Sequence, residues 1–445
     1  MRVLFLNHAA ELGGAERSLL ELIEGLPRQV EAEVACPAGE LASRAGELGI
    51  RVHGLRPARS PYRRRAGGLG LRVVGPRLPG ALAAIAATAW RVSRLARRDG
   101  FALVHANSLR AGVTAGLAAR LGGPPAVVHA RDVVLGPDAR LVLGAIRRTA
   151  AVTIANSAAT ARRLRAAGIE SVVVPGFADP ARFDPADVHR DEARAELGLA
   201  AGELALVVVG RLAPEKGQAE ALRALALLGR PRARLLVAGS RRFSDRANAA
   251  DVEAYADRLV RLARELGIAD RVSFLGERED MPRVLAAADV LLAPSHDEPF
   301  GRAVAEGMAM GLPVIAGNRG GPAELIEDEV SGLLRDPERP EIWAPAIARL
   351  ADDPGLRRRL GLRAQERIVG SFDRAAHVRG VIAAYAVAGS ASDSAGAPSS
   401  ASGSASDSPP SPDAARSARI SPSRVREEST RIPGPIEVAR VIESR

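Results

Sequence analysis

The sequence contains one cysteine, one lysine and few aromatic residues. The first and last of these shortages argue against a disulfide framework and a nucleic-acid partner. Cys36 is the only cysteine, so no intrachain disulfide can form. Aromatic residues are 3% of the chain and no nucleic-acid recognition motif is present, which argues against a nucleic-acid partner despite the net charge of +10. Lys216 is the only lysine among the 62 basic residues. Its position therefore calls for an explanation.

Long apolar runs are also missing. The longest, "LPGALAAIAATAW" at residues 78–90, is well short of the ~20 residues that a membrane-spanning helix needs. The amino-terminal "MRVLFLN" is too short for a secretion signal and is typical of a buried first strand. We expect a cytoplasmic protein that is either soluble or attached peripherally at the inner face of a membrane.

Short runs of Val, Ile and Leu alternate with amphipathic stretches in two successive series. This alternation is typical of parallel strands covered on both faces by helices. The sequence therefore predicts an α/β fold with two doubly wound parallel-sheet domains, at residues 1–180 and 203–370, and a closing helix at 371–386. The cleft between their strand ends is the expected ligand site. Residues 387–445 are low in large apolar residues, which predicts a disordered tail.

The lone lysine lies in "LVVVGRLAPEKG", where a strand is followed by a turn and the start of a helix. Gly210, Arg211 and Lys216 would then stand near free backbone N–H groups at the carboxyl end of the strand. A diphosphate binds well to such an arrangement, with Arg211 as a planar donor and Lys216 as a compact charge in a narrow space. The alternative is a solvated lysine at a helix start.

A second stretch, "DEPFGRAVAEG", follows a later strand. Glu298 can accept hydrogen bonds from sugar hydroxyls in the cleft. Phe300 and Gly301 open a helix whose first N–H groups face the ligand, and Glu306 further along suits two ribose hydroxyls. Each glutamate alone could be a solvated charge, but their joint spacing argues against that.

With these motifs, the chain resembles the family 4 glycosyltransferases, which are retaining enzymes of the GT-B fold. The match includes Glu298 and Glu306 with seven residues between them, "GRLAPEKG" upstream and "GGAERSLLEL" near the start. The resemblance implies transfer of a hexose-type sugar from a nucleotide diphosphate sugar to a glycan or lipid-linked acceptor, in cell-surface polysaccharide or glycolipid synthesis. One departure is Pro175, where the family often has an asparagine before the glycine.

The first domain supplies further candidates. Gly13 and Gly14 let backbone N–H groups approach a ligand, and the resemblance implies contact with the donor diphosphate and the acceptor. The loop is not a G-x-G-x-x-G fingerprint, which counts against a dehydrogenase. The resemblance also implies that His129 lies beside the reacting sugar. His105 and Asn107 are candidates for acceptor contact, with a structural hydrogen bond as the alternative for His105.

No D-x-D pair occurs, so the chelating diphosphate site of the other large glycosyltransferase fold has no candidate. We therefore predict no metal and no cofactor, with Arg211, Lys216 and helix N-termini supplying the positive charge. Two other classes stay open: a sugar-nucleotide 2-epimerase and a non-catalytic saccharide-binding protein of the same fold. The sequence leaves the base, the sugar and the acceptor open.

The positive charge is concentrated in residues 51–98, which hold twelve arginines and no acidic residue. A basic segment with apolar interleaving predicts docking on an anionic membrane surface, where a lipid-linked acceptor would be presented. A solvated arginine face and a site for an acidic acceptor are the alternatives.

Overall fold

The computed structural model describes residues 1–56, 62–65, 68–71, 78–132, 139–239 and 246–395. Residues 1–397 form one compact unit. Parts of the basic segment, and the predicted tail from residue 396 onward, lie outside the described residues.

The described part of the first domain is built on a seven-stranded sheet in which every neighbouring pair is parallel, with the order β3-β2-β1-β6-β7-β8-β9. Its strands are β1 (Arg2–Leu6), β2 (Glu31–Pro37), β3 (Val52–Leu55), β6 (Leu103–Ala106), β7 (Ala126–Ala130), β8 (Val152–Ala155) and β9 (Val172–Val173). A separate antiparallel pair is formed by β4 (Tyr62–Arg65) and β5 (Gly68–Leu71). The helices are α1 (Gly14–Glu24), α2 (Glu40–Glu47), α3 (Leu78–Arg98), α4 (Leu109–Arg120), α5 (Ala139–Thr149) and α6 (Ala158–Ala166).

The second domain is preceded by α7 (Arg190–Glu196) and has six parallel strands among the described residues, with the order β12-β11-β10-β13-β14-β15. They are β10 (Leu204–Val209), β11 (Ala233–Ala238), β12 (Val272–Gly276), β13 (Val290–Ala293), β14 (Val314–Gly317) and β15 (Leu333–Arg335). Its helices are α8 (Gln218–Leu228), α9 (Arg246–Glu265), α10 (Met281–Ala287), α11 (Arg302–Ala309), α12 (Pro322–Leu325), α13 (Pro340–Asp352) and α14 (Pro354–Ser371).

Alternating side chains explain why each sheet is covered on both faces. In β1, Val3 and Phe5 pack into one buried cluster, while Leu4 and Leu6 pack into the cluster on the opposite face. Successive residues of a strand point to opposite faces, so a continuous apolar run requires helices on both sides. The predicted fold class, two doubly wound parallel-sheet domains, is confirmed.

The last described helix, α15 (Arg374–Ala395), returns to the first domain. Val381 and Ala384 are buried in the same cluster as Val3 and Phe5 of β1. The helix runs beyond residue 386, where sequence analysis placed the start of the tail. Ala388 is fully buried in that cluster, and a run of alanine and serine can continue a helix already held by packing.

None of the helices that the structure describes combines the length and the apolar character needed to cross a bilayer.

Three histidines lie together where α15 packs against the first sheet. The ring centroids of His105 and His129 are 5.4 Å apart, and those of His129 and His377 are 5.6 Å apart. His105 Nδ1 is 2.7 Å from the Tyr385 hydroxyl, and His377 Nδ1 donates to the Pro175 carbonyl oxygen at 2.6 Å. Burial lowers the pKa of His377 to about 3 and holds the pKa values of His105 and His129 well below their usual range. The cluster is therefore neutral in the folded protein.

This cluster makes stability depend on pH. The unfolded chain takes up protons near the ordinary histidine pKa of about 6.5, which the folded cluster cannot do. Stability is therefore complete above that pH and falls as pH decreases through it. Between pH 7.5 and 5.5 we expect a loss of about 1.4 kcal/mol per histidine, or about 4 kcal/mol for the three, measured by urea unfolding at each pH.

The variant that isolates this effect is His129→Phe, because neither ring nitrogen of His129 has a hydrogen-bond partner among the described residues. It should remove about 1.4 kcal/mol of the loss between pH 7.5 and 5.5, to which His8, with its pKa lowered to about 3 by desolvation, also contributes. The exposed His189, changed to Gln, is the matched control and should leave the dependence unchanged. Equal slopes for wild type and His129→Phe would contradict the prediction.

Candidate functional site

A cleft of about 920 Å³ opens between the carboxyl edges of the two sheets. Loops at these edges point toward each other because all strands within each sheet run in the same direction. The structure brings together in this cleft most of the residues that the sequence predicted for the site, namely Gly13, Gly14, Gly210, Arg211, Lys216, Glu298, Phe300, Gly301 and Glu306.

The loop after β10 carries the two predicted phosphate-binding cations. Arg211 Nη2 donates to Glu215 Oε1 at 2.7 Å, and burial lowers the pKa of the Arg211 guanidinium. Gln218 Nε2 donates to the Arg211 carbonyl oxygen at 2.9 Å, which fixes the loop from the start of α8. Gly217 has φ +71°, and a Cβ there would lie 2.0 Å from the Pro294 carbonyl oxygen. This glycine therefore lets the turn bearing Lys216 approach the loop after β13.

Lys216 Nζ donates to Glu298 Oε2 across that approach. The two side chains remain 24% and 18% exposed, respectively, so both can still meet a ligand in the cleft. The two residues are 82 positions apart in the chain, and each follows a strand of the second sheet. The structure therefore places the residue predicted to bind phosphate in direct contact with the residue predicted to bind the sugar.

A double glycine that sequence analysis did not single out supports the loop of Glu298. The Glu298 carbonyl oxygen accepts from the Gly321 N–H at 2.7 Å. A Cβ on Gly320 would lie 2.4 Å from that carbonyl oxygen, and one on Gly321 would lie 2.2 Å from the Phe300 carbonyl oxygen. The available signal was "RGGP" one residue after a strand, where backbone must approach backbone closely.

Phe300 is largely buried and packs on the segment that joins the domains. A Cβ on Gly176 would lie only 2.4 Å from the Phe300 ring. Gly176 follows Pro175, the departure from the family pattern, and its N–H donates to the Asn156 carbonyl oxygen at 3.0 Å. The turn is thus closed with proline in that position, and the glycine makes room for the ring.

Arg302, which sequence analysis missed, joins the two walls of the cleft. Its guanidinium donates to Glu306 Oε1 at 2.7 and 3.0 Å within α11. On α1 of the first domain it donates to both carboxylate oxygens of Glu21, at 3.1 and 3.2 Å, and to Ser18 Oγ at 2.7 Å. It also reaches the Gly14 carbonyl oxygen at 3.2 Å. Glu306 is therefore held through one oxygen by an arginine that also holds the glycine loop.

Gly13 and Gly14 begin α1 at the cleft. A Cβ on Gly13 would lie 2.9 Å from Glu16 Oε2, so the glycine leaves room for that buried carboxylate. Burial raises the pKa of Glu16, and Asn7 Nδ2 donates to Glu16 Oε1 at 3.2 Å.

Asn107, predicted to contact the acceptor, is fully buried. It donates to Asn7 Oδ1 and to the Ala15 carbonyl oxygen, both at 3.1 Å, so it supports the loop from beneath.

His105 and His129 were candidates for contact with the substrates, but their side chains point away from the cleft. Both side chains are fully buried beneath α15, and neither lines the cleft. Both residues lie inside strands, where side chains point to the faces of the sheet rather than past its edge. The residues that do reach the cleft from β7 are the next two after its end, Arg131 and Asp132.

Within the described ranges, no group of three or more His, Cys, Asp or Glu residues is arranged to hold a metal ion.

Comparison with known proteins agrees with this architecture. Residues 12–182 match the family model described as Glycosyltransferase Family 4, and residues 189–367 match the one described as Glycosyl transferases group 1. A D-inositol 3-phosphate glycosyltransferase from Actinosynnema mirum is 33% identical over 383 residues, which cover 78% of this chain and 89% of that protein. Its namesake from Nocardia farcinica is 39% identical over 222 residues, but there the chain spans about half of the relative's length, 47%.

Among solved structures, Alr3699/HepE from Anabaena in complex with UDP and glucose has a TM-score of 0.73 and 26% identity, covering 87% of this chain and 99% of that chain. The long match to the Actinosynnema relative and the two family models together span both domains. The chain therefore belongs to the family 4 glycosyltransferases, with the two-domain GT-B architecture.

Proposed function

We propose that the protein transfers a hexose-type sugar from a nucleotide diphosphate sugar to an acceptor, with retention at the anomeric carbon. The observation that carries the proposal is the Lys216–Glu298 pair at the carboxyl edge of the second sheet, with Arg211 beside it. A cation for the leaving diphosphate and a carboxylate for sugar hydroxyls are thereby adjacent. The similarity to a structure solved with UDP and glucose supports a nucleotide sugar as donor.

The reaction we infer breaks the bond between the anomeric carbon and the phosphate oxygen. The nucleoside diphosphate leaves with the electron pair, and Arg211 and Lys216 stabilise the charge that develops on it. The acceptor oxygen attacks from the same face and gives its proton to the departing phosphate oxygen. Glu306, fixed by Arg302 through one carboxylate oxygen, accepts from the ribose hydroxyls.

The acceptor is a glycan, a lipid-linked sugar or a phosphorylated polyol. The relatives named D-inositol 3-phosphate glycosyltransferase support the last class. A lipid-linked acceptor would suit a peripheral protein at the inner membrane face, and α3 supports such docking. Among its exposed residues are Leu82, Trp90, Arg91 and Arg94, and the Arg94 guanidinium lies 5.5 Å from the centre of the Trp90 ring.

Donor binding is the direct test of the proposal. We expect UDP-, GDP- or ADP-sugar to raise the unfolding temperature, because a ligand at 100 times its Kd adds about 2.7 kcal/mol to stability.

Since side chains supply the positive charge, EDTA should leave the transfer rate within about a factor of three; a tenfold loss would require ~1.4 kcal/mol from a metal. Product NMR should show the donor's anomeric configuration. Epimerised nucleotide sugar without transfer would indicate the alternative enzyme.

The lone lysine makes a second prediction. Lys216→Ala should lower kcat by on the order of 100-fold, the usual cost of losing one preorganised electrostatic contact to a developing anion. Lys216→Arg should restore less than a tenth of the rate, because the larger guanidinium must fit between Gly210 and Glu298. Arg223→Ala removes a cation from α8 outside the cleft and is the matched control. Near-full activity in Lys216→Arg would show that the choice of lysine is incidental.

Membrane docking predicts binding to anionic liposomes that falls as salt rises. Arg91→Ser with Arg94→Ser should weaken it by about 30-fold, since each arginine near an anionic surface contributes about 1 kcal/mol. The control changes two exposed arginines of α14, Arg358 and Arg359, to serine, which removes the same charge elsewhere. Equal sedimentation with neutral and anionic liposomes would overturn the docking proposal and leave the transferase proposal intact.

A further inference from the structure

Most positively charged side chains that line the cleft have a carboxylate partner. The pairs within the described residues are Arg17 with Glu277, Arg182 with Glu21, Arg211 with Glu215, Lys216 with Glu298, Arg278 with Asp280, and Arg302 with Glu21 and Glu306. Arg131 lines the same cleft and has no hydrogen bond or ion pair in the part of the chain that the structure describes.

The guanidinium of Arg131 is poorly compensated. Its Nε and Nη2 atoms are shielded from solvent and have no hydrogen-bond partner, although the residue as a whole stays partly exposed at the cleft. Burial and the nearby Arg302 lower its pKa to about 10, although the carboxylates of Glu16 and Glu21, which do not hydrogen-bond to it, act in the opposite direction. Arg131 therefore still carries its charge at neutral pH. A buried charge without a partner destabilises the folded state, and such a residue is retained where a ligand supplies the missing partner.

The position of Arg131 indicates which ligand that is. It follows β7 directly, on the wall formed by the first sheet, whereas Arg211 and Lys216 stand on the wall formed by the second. If those two cations meet the donor diphosphate, Arg131 remains for a second anionic group. When the transferred hexose is neutral, that group belongs to the other substrate.

We propose that Arg131 binds a phosphate or carboxylate group of the acceptor. The proposal rests on the transferase function and specifies its acceptor as an anionic molecule. A guanidinium can donate two parallel hydrogen bonds to either group, and the partial exposure of Arg131 leaves it within reach of a ligand in the cleft. The acceptor anion would also supply the hydrogen-bond acceptors that Nε and Nη2 lack among the described residues.

The test compares two variants on opposite walls of the cleft. Inorganic phosphate and acetate, each against chloride at equal ionic strength, are added to wild type, Arg131→Met and Lys216→Ala in the presence of saturating UDP, which occupies Arg211 and Lys216, and unfolding temperatures are measured. At ten times its Kd, the anion should raise the wild-type value by about 2 °C. Arg131→Met should remove that shift and keep the shift caused by UDP, whereas Lys216→Ala should keep the first and reduce the second.

The stability of the unliganded variants gives an independent readout. Arg131→Met removes an unpaired charge at similar volume, so the free protein should unfold at a higher temperature than wild type. Arg182→Met is the matched control: it takes one cation from the carboxylate of Glu21 and should lower the unfolding temperature. A phosphate response restored by Arg131→Lys would support the role of the charge.

Three results would overturn the assignment: equal phosphate and acetate shifts in wild type and Arg131→Met, a free Arg131→Met less stable than wild type, or loss of the UDP shift in Arg131→Met. Failure of UDP to stabilise wild type would instead count against the transferase proposal, while the phosphate comparison would still decide the role of Arg131.

Discussion

The guanidinium of Arg302 ties the two walls of the cleft together, and the geometry of the candidate site depends on that tie. It binds Glu21 on α1 of the first domain and Glu306 on α11 of the second, with all three side chains largely buried. Breaking such a network would leave uncompensated charge in a largely buried region. Two more contacts hold the first domain against the second. Arg163 binds Asp297 at 2.6 Å, and the Glu324 carboxylate accepts from the first N–H groups of α6. The glycine loop and the predicted ribose-binding glutamate are thus positioned by one another.

Charge compensation is the second constraint on the cleft. Lys216 and Arg211, which we expect to meet a diphosphate, are each held by a carboxylate of their own domain. These pairs keep the cations oriented while the protein is free of ligand. A bound nucleotide sugar would then add hydrogen bonds to side chains already in place, which lowers the ordering cost of binding. Arg131 has no such ion pair in the described structure, and that difference separates it from its neighbours.

Sequence reasoning identified Lys216 and Glu298 because each follows a strand and so lies at one edge of a parallel sheet. It identified Glu306 because that residue lies further along the helix that begins after Glu298, at the spacing of the family motif. Their convergence in the cleft follows from that topology. It missed Arg302, whose first-domain partners lie some 280 residues away in the chain, and it misjudged the direction of His129. The direction of a strand residue depends on which face its register exposes, and α15 returns from the far end of the chain to cover that face. Neither fact is present in the local pattern around "VVHARD".

The sequence by itself determined the alternation of strands and helices, the two parallel sheets and the glycine turns, because these depend on side chains within a few residues of one another. Only the tertiary structure decided which charges pair across the cleft, which histidines are buried and which arginine of the cleft has no ion pair among the described residues. Those outcomes depend on groups that meet after the two domains and α15 pack together. In a region of low dielectric, small differences in such packing decide whether a charge is compensated or exposed to a ligand.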